Sequence, residues 1–142
     1  MNGPEVSGIH HIQFLVTDLA ESLAWFSTVF GARYQPEFDH HDADNRRYAV
    51  IMRMPGLAFP VQLRESTTMA PVIAGYEPVT FGVTDRAALE RWATHLDECG
   101  VRHSGIKKAR IGEAVDFTSP DGTRLRLYTL PVRGYDDTEF VE

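Results

Sequence analysis

The residues of this 142-residue chain with chemistry to offer are its six histidines, its one cysteine and an arginine-rich segment near the C-terminus. His11 carries a side chain whose ordinary pKa lies near neutrality, the property a general base needs. Arg126, in Arg124-Leu125-Arg126-Leu127-Tyr128, offers a permanent cation that suits a developing oxyanion or a bound anion. Its alternative role is an internal ion pair with Asp116 or Glu113. The run Asp39-His40-His41-Asp42-Ala43-Asp44-Asn45 concentrates polar ligand types, but it lacks the alternating oxygen donors and acidic anchor of a calcium loop. It reads as a solvated acidic connection. His95 and His103 stand isolated, and Cys99 falls on an apolar helix face as a small hydrophobe. Neither a glycine-rich phosphate loop nor a nucleophile elbow occurs.

The elements that must position these groups come as a duplication. Phe14-Leu15-Val16-Thr17-Asp18 returns as Phe81-Gly82-Val83-Thr84-Asp85, and each copy is followed seven residues later by a tryptophan, Trp25 or Trp92. Each then reaches a glycine, Gly31 or Gly100, a small apolar residue and an arginine. Asp18 and Asp85 are good helix N-caps, because a short carboxylate accepts the free N–H groups of the first turn. Glu21 completes a capping-box pattern, and the two glycines suit left-handed C-terminal caps. Leu19, Leu23, Phe26 and Phe30 share one helix face, as do Leu89, Trp92, Leu96 and Cys99. Strands are predicted near 9–16, 33–38, 47–54, 58–64, 78–83, 102–107, 113–118 and 123–130, with Ser119-Pro120-Asp121-Gly122 turning between the last two. The expected organisation is a single domain over 1–142: a first module at 8–64, a linker at 65–77, a second module at 78–130 and an acidic tail at 131–142.

Composition narrows the function. The chain is 43% hydrophobic and 24% charged with a formal net charge of -6, the profile of a globular protein without the basic footprint of a nucleic-acid binder. No apolar run approaches the ~18 residues of a membrane span, and no signal region is evident at the N-terminus. One cysteine forms no internal disulfide, which agrees with a cytoplasmic setting.

The tandem strand-helix-strand-strand-strand pattern, opening with His-His-Ile-Gln-Phe-Leu-Val-Thr-Asp and closing on Ser119-Pro120-Asp121-Gly122 and Thr123-Arg124-Leu125-Arg126-Leu127-Tyr128, resembles the vicinal oxygen chelate superfamily. That superfamily includes glyoxalase I, bleomycin-resistance proteins, fosfomycin-resistance enzymes and extradiol dioxygenases. The resemblance implies an α+β fold of two tandem βαβββ modules whose mixed sheets curl into a cup, usually in a homodimer. It places the family's metal positions on His11, Gln62, Pro78 and Arg126: one good donor, one weak amide, one residue with no side-chain donor and one cation. The reading therefore predicts no cofactor and no divalent metal.

Alternation along the strands then assigns the ligand-facing residues as His11, Gln13, Tyr48, Val50, Met52, Gln62, Thr80, Arg126 and Tyr128. The expected function is binding or sequestering a small hydrophobic or aromatic molecule. Two other readings stay open: a lyase, isomerase or dioxygenase with His11 as base or remnant metal ligand, and a protein-interaction module.

Overall fold

The computed structural model describes residues 3–132 and 134–135. The chain is α+β and divides into two compact units, one ending at Thr67 and the next beginning at Thr68. Neither unit contains a closed barrel.

The first unit runs β1 (Ile12–Val16), α1 (Leu19–Phe30), β2 (Arg33–Tyr34), a 3-10 turn (Pro36–Phe38), β3 (His40–His41), β4 (Arg47–Arg53) and β5 (Val61–Glu65). Its sheet has the order β1-β5-β4-β2, with β3 also on β4; β1 and β5 are parallel, and the other pairs are antiparallel. Asp18 caps α1 as its sequence position suggests, its Oδ1 accepting from Glu21 N at 2.9 Å, and Gly31 closes the helix at φ 67°. The helix packs on β4 and β5. Phe26 stacks on Phe14 at 5.3 Å and on Phe30 at 5.7 Å, over buried Val50, Met52, Val61 and Leu63.

The second unit runs α2 (Met69–Val72), β6 (Thr80–Val83), α3 (Arg86–Glu98), β7 (Lys107–Lys108), β8 (Glu113–Thr118) and β9 (Arg124–Thr129). Its sheet order, β6-β9-β8-β7 with β6 parallel to β9, repeats the β1-β5-β4-β2 path of the first unit, without a counterpart of β3 among the described residues. The Asp85 Oδ1 accepts from Ala88 N at 2.9 Å. Leu89 and Leu96 of α3 are fully buried, as are Val115 and Leu125 of the sheet, with Leu127 nearly so.

Several strands are shorter than the alternation pattern predicts, and proline or glycine marks each break. The segment expected at 33–38 stops at Tyr34, because Pro36 has no N–H for a ladder and starts the 3-10 turn. Strands β5 and β6 begin just after Pro60 and close after Pro78 for the same reason. The 102–107 segment keeps a single bridge, His103 to Phe117, before Gly105 turns at φ 72°, a left-handed conformation that ends regular pairing. The acidic connection at 39–45 holds a two-residue strand, His40–His41, and Asp42 Oδ1 accepts from Asp44 N and Arg46 N at 2.9 Å each. Between residues 65 and 77 lies the one-turn α2. The tail beyond Tyr135, with Asp136, Asp137, Glu139 and Phe140, lies outside the described residues. No helix among the described residues is long and apolar enough to cross a membrane.

Candidate functional site

A β-sheet with a helix on one side offers its other side to ligands. In the first unit that open face follows from register: Gln13 of β1 pairs with Gln62 of β5, which pairs with Ile51 of β4. One row nearer the start of β5, His11, Pro60 and Arg53 stand abreast. A groove of about 470 Å3 lies over these rows. Ile51, Phe38 and Pro60 supply its apolar lining; His10, His11, His40, Gln35, Gln62 and Arg53 supply polar groups.

Gln62 is the most enclosed of these polar residues, at 6% exposure. Its amide, open to the groove, offers two donors and an acceptor. His10 Nδ1 and His11 Nδ1 lie 3.0 Å apart, so one proton serves both atoms and one of the two rings must accept. Gln35 is held at the groove by its backbone N, which donates to Ile51 O at 2.9 Å. His40 is placed by β3 and meets the Tyr48 ring edge at 5.8 Å. Next to it, Tyr34 Oη donates to Asp39 Oδ2 and accepts from Arg47 at 2.8 Å. Burial, and then the bond to Asp39, raises the Tyr34 phenol above its ordinary pKa.

The structure thus brings His11 and Gln62 to one groove, with Gln13 exposed on the same face. It corrects the assignment of β4. Val50 and Met52 are fully buried and pair with Leu63 and Val61 on the helix side, so neither faces a ligand. Tyr48 does not line the groove; Arg64 lies over its ring at 5.1 Å. The groove-facing residues of β4 are Ile51 and Arg53, one step out of phase with the sequence assignment. Counting alternation outward from Gln62 finds them; Gln35, Phe38 and His40 had no such signal, because a turn and a two-residue strand deliver them.

In the second unit Thr80, Arg126 and Asp116 form one row across β6, β9 and β8. Arg126 takes the ion-pair role. Its Nε donates to Asp116 Oδ1 at 2.7 Å and lies 3.4 Å from Glu77 Oε1. Arg124 at 2.8 Å and Lys107 also reach Asp116. Burial alone would raise the Asp116 carboxyl, but hydrogen bonds from Arg126, Lys107 and Arg124 overcome it and hold the pKa well below the usual carboxylate range. The bond to Asp116 in turn raises that of Arg126. Thr80 and Tyr128 line a separate hollow of about 260 Å3, where Tyr128 Oη accepts from Ile111 N at 2.8 Å.

The four family metal positions carry a poor donor set. In the first unit they supply one imidazole and one neutral amide; in the second, a proline and a guanidinium already bound to carboxylates. No group of three or more His, Cys, Asp or Glu among the described residues is arranged to hold an ion.

Known proteins set this beside clear relatives. Metallothiol transferase FosB of Bacillus licheniformis is 23% identical over 131 residues, spanning 91% of this chain and 79% of FosB. A crystal structure of a variant of the fosfomycin resistance protein FosX from Listeria monocytogenes, complexed with Mn(II) and 1S,2S-dihydroxypropylphosphonic acid, superposes with a TM-score of 0.68 at 16% identity, covering 91% of this chain and 97% of FosX. TnmS3, an antibiotic binding protein from Streptomyces sp. CB03234, gives a TM-score of 0.71 at 19% identity over 89% of this chain and 98% of its own. The expectation that divalent metal plays no part is corrected by these relatives: FosB is named for its metal, and FosX is seen with Mn(II). Metal association is thus a property of these relatives. The family model for the Glyoxalase/Bleomycin resistance protein/Dioxygenase superfamily matches residues 8–127, and the duplicated strand order explains why the match runs through both units: the chain belongs to that superfamily.

Proposed function

We propose that this protein binds a small organic molecule on the open face of its first unit and sequesters it there. The observation that carries the reading is the groove itself, about 470 Å3 over Ile51, Phe38 and Pro60, with the amide of the otherwise buried Gln62 facing into it. A bound molecule would satisfy that amide while covering Ile51 and Phe38, the combination of few polar anchors and apolar wall that ligand grooves use. His11 contributes the ring nitrogen that its contact with His10 leaves open. The likeness to an antibiotic binding protein agrees with sequestration. Thr80 and Tyr128 make a second, smaller contact region in the other unit, and Arg126 acts there through its carboxylates. The reading extends to a cytoplasmic homodimer, whose mass light scattering would report.

Protein-observed NMR with a panel of small planar aromatics tests it. Binding should shift the side-chain amides of Gln62 and Gln35 and the backbone amide of Ile51 before any others. A panel that moves none of the three, or moves only second-unit signals, overturns the proposal.

A further inference from the structure

The chain carries 20 acidic and 14 basic residues, yet among the described residues no carboxylate lines the first-unit groove. Its titratable lining among the described residues is basic: His10, His11, His40 and Arg53. The nearest acids in sequence are engaged or exposed. Asp39 binds Tyr34 and lies 3.6 Å from Arg47, and Glu37 projects from the exposed 3-10 turn.

A second observation comes from strand register. Arg53 of β4 lies directly opposite Arg33 of β2 in an antiparallel pair. Directly opposed residues share a face with Cβ atoms ~5 Å apart, and like charges in that position repel. Neither guanidinium has a carboxylate partner among the described residues; Arg53 makes only a long bond of 3.4 Å to Ala58 O. Several arginines elsewhere are neutralised, as Arg46 is by Glu65, Arg86 by Glu113 and Arg126 by Asp116; what sets Arg33 and Arg53 apart is that two arginines without a carboxylate partner stand directly opposite each other. Two arginines side by side, neither with a carboxylate partner and one lining a groove without a carboxylate among the described residues, suit an anion from outside.

Resting on the binding reading above, we infer that the occupant of the groove is an organic anion, its carboxylate, sulfonate or phosphonate head on Arg33 and Arg53 and its flat apolar body over Ile51 and Phe38. The guanidinium forks match the planar or tetrahedral oxygens of such a head, and charge-assisted bonds to them are the strong kind. Across the sheet, Arg53 and His11 stand two strand spacings apart, ~9.5 Å, which leaves room for a fused-ring body reaching from the arginines toward Gln62 and the imidazoles.

The test compares three probes of one shape: 2-naphthoate, 2-naphthamide and 2-naphthylmethylammonium, titrated by calorimetry into the full chain and into an Arg33→Gln/Arg53→Gln variant. In the wild type, 2-naphthoate should bind about tenfold or more tighter than 2-naphthamide at low salt, the gap narrowing as salt screens the exposed head. The variant should erase the gap, its loss falling on 2-naphthoate far more than on 2-naphthamide. Its melting temperature should be no lower than the wild type's, since the substitution removes a repulsion. Equal binding of naphthoate and naphthamide, or tightest binding of the ammonium, overturns the anion inference and leaves the groove reading standing. Failure of all three probes overturns both.

Discussion

The phase of β4 decides which residues a ligand meets, and a pair of neighbouring alanine substitutions measures it. Met52 is fully buried on the helix side, paired with Val61, whereas Ile51 faces the groove. Removing a buried methionine side chain costs the transfer free energy of its atoms plus the cavity left behind, together about 2–5 kcal/mol. For a chain of this length one kcal/mol moves the midpoint by about 3 °C, so Met52→Ala should melt some 6–15 °C below wild type. Ile51→Ala opens no enclosed cavity, because the groove already lies over it, and should cost under about 1.5 kcal/mol. Binding should divide the other way, with Ile51→Ala weakening any planar aromatic in the groove and Met52→Ala leaving affinity nearly unchanged at temperatures where it stays folded. Urea denaturation with parallel calorimetry reads both quantities. If Ile51→Ala were the more destabilising and Met52→Ala the one that lost ligand, β4 would be slipped by one residue and the groove as described would not exist.

The Asp116 cluster should carry part of the protein's acid sensitivity. The Asp116 carboxyl titrates lower folded than unfolded, so its stabilisation is complete above the ordinary carboxylate range and drains away as pH falls below about 4. Asp116→Asn should cost about 1–3 kcal/mol at neutral pH, by urea denaturation, since three cations lose a largely buried acceptor; the difference from wild type should narrow toward pH 3, and a constant difference would contradict the ion-pair role. The two helix caps should each be worth about 1 kcal/mol: Asp18→Ala and Asp85→Ala should each lower the thermal midpoint by about 3 °C, with serine at either position restoring most of it.

What could be read from the sequence was whatever short-range chemistry controls. The aspartate caps, the glycine after each helix and the repeated strand-helix pattern follow from local rules that tertiary context does not override here. The site was legible in part. His11 and Gln62 come together because parallel pairing of β1 with β5 places them in adjacent rows of one face, the pairing that the module pattern implies. Strand β4 was misread because Tyr48, Val50 and Met52 look equally suited to a groove wall or a core, and alternation fixes spacing but not phase. Its phase is set by the antiparallel partner: Val50 and Met52 meet Leu63 and Val61 beneath α1, which leaves Ile51 and Arg53 to the open side. The Arg33–Arg53 opposition was invisible for a related reason, since it depends on where β2 ends and how it registers on β4. Arg126 had its carboxylate among the candidates named from sequence, but Lys107, Arg124 and Glu77 join it only through the fold. The metal expectation failed because it weighed four positions in one chain, whereas relatives of the same fold supply the missing context.

Everything functional here turns on whether an organic molecule occupies the groove between β1, β4 and β5. Intermolecular nuclear Overhauser effects from the ring protons of bound 2-naphthoate would locate it atom by atom. Cross-peaks to the Ile51 methyls, the Phe38 ring and the Gln62 side-chain amide are the predicted pattern. Contacts to the second unit alone, or a saturated complex without any cross-peak to Ile51, would contradict the account at its root.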